Sequence, residues 1–427
     1  MLRRTTLSGS NPTRMKSQNM RAVLMAFLRH GELSRARLAE LTGLSSTTIT
    51  NLVAEMAAAG LVTELASPQN GSRSVGRPRT PLRLRPEAGH AVGVHVSVGH
   101  IRIALTDLCG RIVADRALRH DLTTPAETVL AETARQIEAL LAAHAAPPDS
   151  IVGVGVGASG LVNPQSGVNV LAPNLGWRNV AIRDLLEQRL GLPVVVDNNV
   201  RAMALAEARF GAGRDAEVMA FIYARIGVGA GIIVGQQLFR GSGAGAGEIG
   251  HITILPDGGE PCRCGNHGCL ETLVSEPAIL RLAAEVAAQA PDGLLAQHLR
   301  QATAEETRLA AVFAAARAGD APTLAMLEER GHYTGIALAN LVNVLNPNLI
   351  LLGGLFSQAA DLLLPAIETT LRARAFADLG EAVQLRTTSF GAQAGMIGAA
   401  ALALDTLFYS AGRVPHSVQT PVLQATV

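Results

Sequence analysis

Three of the four cysteines in the chain crowd into one short stretch, at Cys262, Cys264 and Cys269. Cysteine thiolates bind zinc well, and three of them with one imidazole fill the closed tetrahedral shell of a structural zinc site. Two histidines could supply the imidazole, because His267 lies between two of the cysteines and His251 lies eleven residues before the first. The crowding favours a metal site over a disulfide framework. The sequence therefore predicts a loop that holds a structural Zn²⁺.

The segments that must position this loop alternate between strand and helix patterns. From Ala91 onward, apolar residues alternate in two runs and resume after a turn, which predicts a β-meander. The later segments are residues 124–144 (helix), 151–156 (strand), 183–190 (helix), 194–196 (strand) and 200–210 (helix). Strands and helices in alternation predict an α/β body.

The start of the chain carries a different pattern, with three short helices separated by tight turns. Residues 19–29 present one apolar face at helical spacing. Ser34 is predicted to cap a second helix, Gly43 provides the turn after it, and Ser45 or Ser46 caps a third helix. A helix, a glycine-containing turn and a second helix make up the helix-turn-helix layout.

Polar side chains early in the third helix are suited to contact DNA. Hydroxyls and amides bond to base edges, and a helix N-terminus favours phosphate. The predicted contacts are Ser46, Thr47, Thr48, Thr50 and Asn51. The alternative is a small helical bundle without a nucleic-acid partner, but the turn spacing and the adjacent positive charge favour DNA binding.

A segment rich in Gly, Ser and Arg follows at residues 67–80, and Leu82-Arg83-Leu84 then reads as a returning strand. This pattern predicts the β-hairpin wing of a winged helix-turn-helix. Within it, Gly76-Arg77-Pro78-Arg79 is an extended strip of the kind that lays an arginine into a narrow minor groove. We predict further DNA contacts from Arg73, Arg77 and Arg79.

The charge distribution separates the two parts of the chain. Residues 1–85 contain 13 Arg or Lys against 4 Asp or Glu, whereas the remainder contains 23 against 31. A basic head on an acidic body indicates that the head alone meets a polyanion. The first twenty residues include no apolar stretch typical of a secretory signal, and we expect no apolar run long enough to span a bilayer. We therefore expect a cytoplasmic protein without a membrane partner.

A second set of motifs carries a family resemblance. The most specific is Gly247-Glu248-Ile249-Gly250-His251, followed by residues 262–271, which include the cysteine loop. Weaker matches are Gly153 to Val162, Ala172-Pro173-Asn174, Leu205-Ala206-Glu207, and Asn346-Pro347 leading into Leu352-Gly353-Gly354. On these residues the body resembles the ROK family (repressors, open reading frames and sugar kinases). The resemblance implies a ribonuclease H-like, sugar-kinase-type α/β fold, with two actin-like lobes around a sugar cleft.

The resemblance also sets the expected domain boundaries. The winged helix-turn-helix domain is predicted at residues 1–86, in the position it has in the family's repressors. The ROK domain is predicted at residues 89–410, with lobes at about 89–200 and 201–410, and a tail follows at 411–427.

The resemblance further implies which residues form each site. For the metal it favours His251 over His267 as the fourth ligand, beside the three cysteines. For the sugar it implies contacts from Asn174, Asn198, Asn199, Glu248, His251 and Glu271. Carboxylates and amides suit this role, because each can bond two hydroxyls at once. His251 would then serve both sites, and the metal loop would help to shape the cleft.

Departures from the family's kinases indicate that the reaction is lost. The kinases use an Asp as the base that activates the sugar hydroxyl, and Asn199 occupies that position. Asp197 lies two residues away and is not expected to replace it. The first phosphate loop of the family, Asp-x-Gly-Gly-Thr, reads His95-Val96-Ser97-Val98-Gly99, and Ile226 replaces the Thr of the second loop. The glycines from 227 to 231 are therefore interpreted as part of the fold.

These observations favour a sugar-responsive, DNA-binding transcriptional regulator, namely a repressor of carbohydrate-utilisation genes, over an enzyme. Its expected partners are operator DNA, a sugar or sugar phosphate effector, and further copies of itself in a homodimer or homotetramer. Two alternatives stay open. One is a kinase for a hexose or amino sugar with an added DNA-binding head, and the other is a regulator controlled by a protein partner. The sequence does not identify the sugar or the operator.

Overall fold

The computed structural model describes residues 12–65, 80–145 and 147–410. The head consists of α1 (Pro12–His30), α2 (Arg35–Thr42), α3 (Ser46–Ala58), β1 (Val62–Glu64) and β2 (Leu82–Leu84). β1 and β2 pair in antiparallel register, with Thr63 opposite Arg83. The predicted helix-turn-helix and the two arms of its wing are confirmed. The wing segment with Arg73, Arg77 and Arg79, and the tail at 411–427, lie outside the described residues.

Local capping explains where the head helices begin and end. The Ser34 hydroxyl accepts a hydrogen bond from the backbone N–H of Arg37, and the Ser45 hydroxyl accepts one from Thr48. Gly43 adopts the left-handed conformation that ends α2. The predicted caps are therefore confirmed, and Ser45 rather than Ser46 caps α3. α1 begins at Pro12, earlier than the predicted Asn19, because its first turns are polar and add nothing to the apolar periodicity.

The first part of the body builds one mixed sheet and one small antiparallel sheet. Its elements are β3 (His90–Ser97), β4 (His100–Asp107), β5 (Ile112–Arg119), α4 (Ala126–His144), β6 (Ile151–Ala158), β7 (Leu161–Asn163), β8 (Val168–Ala172), β9 (Trp177–Ala181), α5 (Ile182–Leu190), β10 (Val194–Asn198) and α6 (Asn199–Phe210). The main sheet has the order β10-β6-β3-β4-β5, and β7-β8-β9 form the small sheet. The predicted meander is confirmed as antiparallel β3-β4-β5.

The second part of the body builds another five-stranded sheet and a helical layer. Its elements are β11 (Val218–Ala224), β12 (Val228–Val234), β13 (Gln237–Phe239), α7 (Leu270–Val274), α8 (Glu276–Gln289), α9 (Leu294–Gln301), α10 (Glu305–Arg317), α11 (Ala321–Leu345), β14 (Leu349–Gly354), α12 (Leu355–Gln358), α13 (Ala360–Arg374), α14 (Leu379–Ala382), β15 (Gln384–Thr387) and α15 (Ala394–Ala403), with a π-helical turn at Leu404–Tyr409. The sheet order is β13-β12-β11-β14-β15. Most of the apolar face of α11 packs within the hydrophobic core of this part of the body.

The last helix returns to the first sheet. α15 packs on β3 and β6 and lies against α6. A Cβ atom on Gly93 would lie 2.2 Å from the carbonyl oxygen of Met396, so only glycine permits this approach. As a result β3 is buried along nearly its whole length. The predicted lobe boundary near residue 200 stays a prediction. α15, which lies after that boundary in sequence, packs on the sheet that lies before it.

Segment Gly391–Tyr409 is long and apolar enough to cross a membrane by length and composition, contrary to the expectation from the sequence. Of its apolar window, 67% is buried inside the protein. It therefore has the burial of a core helix. Its final turn also contacts α1, and one hydrophobic cluster joins residues of the head, such as Leu24, to Leu404 and Phe408 of the body.

Candidate ligand cleft and metal centre

A cavity of about 510 Å³ opens in the body between the first and second parts. This volume falls in the range of roughly 300–1,000 Å³ that is usual for small-molecule sites. All six residues that the sequence predicted for the ligand line it: Asn174, Asn198, Asn199, Glu248, His251 and Glu271. They come from distant points in the sequence, so the tertiary fold brings the predicted set together.

Two of these residues are positioned by the start of α6. Asn198 is the N-cap, and its side-chain oxygen accepts hydrogen bonds from the backbone N–H groups of Val200 and Arg201 at 2.9 and 3.2 Å. Its amide nitrogen donates to the Gly160 carbonyl at 2.9 Å. Asn199 follows at the first helical position and donates to the Ser159 hydroxyl at 3.3 Å. Asn198 is thus already engaged in the fold, whereas Asn199 keeps more bonding capacity for a ligand.

Two acidic residues approach the cavity from the second part of the body. Glu271, at the start of α7, accepts a hydrogen bond from the Val228 backbone N–H at 3.0 Å. Desolvation by surrounding protein raises the pKa of Glu248, while nearby His251 and Arg201 oppose the rise. Asn174, on the opposite side, accepts a hydrogen bond from Arg263 of the cysteine loop. The lining therefore offers carboxylate, amide and guanidinium groups, which suit a ligand rich in hydroxyls.

The cysteine loop closes into one ligand set. The donor atoms of His251, Cys262, Cys264 and Cys269 all lie within 4.8 Å of one another. His251 joins the three thiols, as predicted, and His267 is not part of this group. The Cys262 sulfur lies 3.7 Å from His251 Nδ1, and the Cys264 and Cys269 sulfurs are 3.7 Å apart. Three sulfurs and one imidazole nitrogen are the donor set of a structural zinc site.

The thiols of the loop differ in their surroundings. Burial raises the pKa of Cys269 to about 12 and also raises the pKa of Cys262. The backbone N–H of Asn266 instead lowers the pKa of the exposed Cys264 thiol. A divalent cation favours thiolates, so it would compensate for burying two of these sulfurs.

The exposed face of α3 carries the predicted DNA contacts. Ser46, Thr47, Thr50 and Asn51 are exposed, and Thr48 is half-buried. Two of the hydroxyls have partners within the helix, because Thr50 donates to the Ser46 carbonyl at 2.8 Å and Thr48 pairs with the Ser45 hydroxyl at 2.9 Å. Ser46, Thr47 and Asn51 are therefore the side chains with the most capacity for an external partner, among the described residues.

Comparison with known proteins covers both parts of the chain. Residues 91–406 match the model of the ROK family, and residues 21–71 match the model of the MarR family. The chain belongs to the ROK family.

Its similar relatives include regulators and enzymes. The DNA-binding transcriptional repressor Mlc of Escherichia coli (strain K12) is 32% identical over 92% of this ROK protein and 94% of the relative. The glucokinase of Halalkalibacterium halodurans is 36% identical, over 72% of this chain and 92% of the relative. Among solved structures, a ROK family transcriptional regulator, a homologue of E. coli Mlc, has a TM-score of 0.79 and 31% identity, and the match covers 93% and 98% of the two chains. The matches to the two regulators cover more than nine-tenths of the chain and so extend over the head. The match to the glucokinase covers a length close to that of the body alone.

Asp197, the carboxylate nearest in sequence to Asn199, is buried in the interior of the ROK body. It is fully buried, and it accepts hydrogen bonds from Arg201 at 2.8 Å and from Arg240 at 2.9 Å. It does not line the cavity, among the residues described. Both of its oxygens are thus committed to arginines.

The end of β3 presents an imidazole to the cavity of this ROK body. His95 lines the cavity, is buried, and its Nε2 atom has no hydrogen-bond partner among the described residues. Burial, together with the nearby Arg102 and Arg225, lowers its pKa to about 4. Neither His95 nor Arg225 was predicted from the sequence as a lining residue. The signal was available, because His95 lies near the C-terminal end of a buried strand, where α/β folds place their ligands.

The glycine-rich segment after Ile226 contributes both to packing and to the cavity wall, which Gly227 and Gly229 line. A Cβ atom on Gly231 would lie 2.5 Å from the Ala204 Cβ, so this glycine lets β12 approach α6 closely. Gly227, in contrast, lines the cavity. The interpretation of these glycines as part of the fold thus holds for Gly231.

One helix extends from the cavity to the head. α6 starts at Asn199, on the cavity wall, and its far end contacts α1. There Arg209 donates to Asp405 at 2.7 Å, and Arg21 of α1 lies 3.8 Å from the same carboxylate. A single rigid element therefore joins the ligand cleft to the DNA-binding head.

Proposed function

We propose that this ROK-family chain is a cytoplasmic, sugar-responsive DNA-binding transcriptional repressor of carbohydrate-utilisation genes. The observation that carries the proposal is the pairing, in one chain, of a helix-turn-helix head with a sugar-kinase-type body that contains a lined cleft. The similarity to the Mlc repressor, which extends over both parts, supports it.

The proposed effector is a sugar or sugar phosphate bound in the cleft. Glu248, Glu271, Asn174, Asn199 and His251 would bond its hydroxyls. The Asn198 amide would contribute less, because it already caps α6 and donates to Gly160. Hydrogen-bonding lining residues of this kind select a sugar by the positions of its hydroxyls.

Operator DNA is the proposed partner of the head. The N-terminal half of α3 would enter the major groove, with Ser46, Thr47, Thr48, Thr50 and Asn51 facing bases and phosphates. Arg73, Arg77 and Arg79 of the wing would track the backbone or the minor groove. Two heads in a homodimer or homotetramer would meet two half-sites of the operator.

The body is proposed to bind its sugar without phosphorylating it. Asn199 can bond a hydroxyl but is a poor base, and Asp197 is sequestered by Arg201 and Arg240. His95 also stands where the family's kinases place the acid of the first phosphate loop. The similarity to a glucokinase keeps phosphorylation as the competing function.

The Cys₃His loop is proposed to hold one structural Zn²⁺. Because His251 also lines the cleft and the loop supplies Arg263 to Asn174, the metal would keep one wall of the cleft in place. The ion has no proposed part in any reaction, since four protein ligands leave it no open position.

The response is proposed to pass along α6. A sugar that bonds Asn199 and draws the lobes together would move the far end of this helix, where Arg209 and Arg21 meet at Asp405. The head would shift, and its spacing relative to a second head would change.

The experiment that tests the proposal combines three assays on the full-length protein. A thermal-shift screen covers xylose, glucose, N-acetylglucosamine and their phosphates, with and without ATP and Mg²⁺. A coupled assay then measures ADP release with any sugar that stabilises the protein. A gel-shift assay on DNA upstream of its own gene, with and without that sugar, completes the set.

Each outcome discriminates between functions. Stabilisation by one sugar, no ADP release and sugar-dependent release of DNA would support the proposal. Sugar-dependent ADP release would establish the kinase instead. DNA binding with no response to any sugar in the panel would favour control by a protein partner.

A further inference from the structure

A second recess, of about 200 Å³, lies on the seam between the head and the body. It is lined by Arg21, Met25, Leu28 and Arg29 of α1, by Ala208 and Arg209 of α6, and by Arg214, Gln236 and Gln237. Four of these nine side chains are arginines, which come from both domains. The recess is separate from the ligand cleft and shares no lining residue with it.

The positive charges of the recess exceed the negative charges that face them. Asp405 pairs with Arg209 at 2.7 Å and lies 3.8 Å from Arg21. Asp215 pairs with Arg29 at 2.5 Å. Arg214 donates through its Nε atom to the Gly211 carbonyl, and no carboxylate is recorded beside it among the described residues. Four guanidinium groups thus share two carboxylates.

The buried arginine of this group is paired with a counter-ion, whereas Arg29 is 45% exposed and Arg214 is exposed. The Arg209 side chain is 3% exposed and that of Asp405 is 19% exposed. The excess positive charge therefore lies on the exposed side of the recess, where a bound anion would reduce the repulsion among the guanidinium groups. Guanidinium groups match the oxygens of phosphate in pairs and bind them by charge-assisted hydrogen bonds.

The volume of the recess limits the size of the ligand that it can hold. At ~30 Å³ for a water molecule in the liquid, 200 Å³ has space for about six or seven water-sized groups. This accommodates one phosphate group with limited space beyond it inside the recess. The two apolar side chains, Met25 and Leu28, would border a short apolar substituent.

We infer that this recess binds a phosphate dianion, either inorganic phosphate or the phosphate group of a small phosphorylated metabolite. Arg21 and Arg29 would hold it from the head, and Arg209 and Arg214 from the body. A bound dianion would therefore fasten α1 to the end of α6. The head would respond to this anion independently of the sugar in the cleft.

The test uses the full-length protein and inorganic phosphate. Thermal denaturation and titration calorimetry are carried out in buffer free of phosphate and sulfate, with ionic strength held constant by chloride. We expect a saturable rise in melting temperature with phosphate. Arg29→Ala and Arg214→Ala should each weaken phosphate affinity by about tenfold or more, the effect of losing one charge-assisted contact.

A matched control variant is available on the body. Arg317 is 45% exposed and pairs with Asp361, as Arg29 is 45% exposed and pairs with Asp215. Arg317→Ala should keep the full response to phosphate. The melting temperature of each variant without phosphate checks that it folds.

Glycerol 3-phosphate distinguishes the two sources of the anion. Tighter binding of the ester than of phosphate, lost in Arg29→Ala, would assign the recess to a phosphorylated metabolite, whereas equal or weaker binding would assign it to inorganic phosphate. The inference is overturned if phosphate raises the melting temperature no more than chloride does, or if both arginine variants retain the full rise in melting temperature. It is also overturned if duplex DNA displaces phosphate and both variants lose DNA affinity, since the recess would then contact the DNA backbone. Stabilisation by a neutral sugar is measured alongside, so failure here leaves the proposed sugar response separately tested.

Discussion

The guanidinium of Arg201 donates a hydrogen bond to the carboxylate of Asp197 at 2.8 Å, and both side chains lie in the interior of the body. Asp197 lies on β10 and Arg201 in the first turn of α6, so the pair braces the junction between the strand and the helix. This junction also presents Asn198 and Asn199 to the cleft. The carboxylate therefore supports the site without contacting a ligand.

Asp197→Asn should destabilise the protein strongly. The change leaves Arg201 buried without its counter-ion, and breaking such a pair costs about 3–5 kcal/mol. Urea denaturation followed by circular dichroism measures the loss. Asp361→Asn, which removes the partner of the exposed Arg317, is the control and should cost at most about 1 kcal/mol. Equal effects of the two substitutions would contradict the supporting role of Asp197.

Asn199→Asp should not create a kinase. By the resemblance to the ROK kinases it would restore the carboxylate of the base, but His95-Val96-Ser97 would still stand in place of the first phosphate loop. We expect sugar-dependent ADP release to stay at the background rate in both the wild-type protein and the variant. A ROK glucokinase serves as the positive control. Measurable turnover in the variant would show that the phosphate loops remain competent.

Cys264→Ser should release the metal. A neutral hydroxyl is a much weaker zinc ligand than a thiolate, so zinc affinity should fall by about tenfold or more and the melting temperature should drop with it. Metal analysis after gel filtration gives the zinc content. Cys109→Ser is the matched control, since Cys109 lies outside the ligand set and burial raises its pKa to about 11. A Cys264→Ser protein that keeps both its zinc and its melting temperature would refute the structural role.

Asn51→Ala should weaken operator binding with little change in stability. Asn51 is exposed, and losing one specific base contact costs about 1–3 kcal/mol, or about tenfold or more in affinity. Fluorescence anisotropy with operator DNA measures the change. Gln18→Ala, an exposed polar substitution on α1, should leave the affinity unchanged. If both variants bind DNA like the wild-type protein, α3 does not read bases through Asn51.

Ser45→Ala should lower the stability of the same helix and have less effect on DNA affinity. It removes the side-chain acceptor for the Thr48 N–H, and loss of such a cap costs about 1 kcal/mol of stability. Thermal denaturation should detect this loss, and the DNA affinity of the folded protein should change less than in Asn51→Ala. An unchanged melting temperature would mean that another group caps α3.

Stability should fall as the pH is lowered from about 6.5 toward 4, and His95 should be one cause. Burial lowers its pKa from 6.5 to about 4 in the folded protein. The unfolded chain therefore takes up a proton first, and this histidine's contribution, about 3 kcal/mol when complete, is lost across that interval. Urea denaturation at pH 7 and pH 4.5 compares the wild-type protein with His95→Gln. The pH-dependent loss should be smaller in the variant, and equal losses would contradict the assignment.

Local features of this protein could be predicted from the sequence because their physics is local. Ser34 and Ser45 cap helices that begin at the next residue, and Gly43 supplies the left-handed turn between them. The three cysteines lie close enough along the chain to meet in one loop. The six ligand-site residues were a different case, since resemblance to the ROK family grouped them and their own spacing did not.

The sequence by itself determined the two-part organisation, the helix-turn-helix and the metal loop, because capping, periodicity and ligand spacing act over a few residues. The tertiary structure alone decided how distant segments meet. The return of α15 to β3, the two arginines on Asp197, the burial of His95 beside Arg225 in the cleft wall and the four arginines at the head–body seam all join residues far apart in the chain. Such contacts depend on the packing of whole elements, and no local pattern records them.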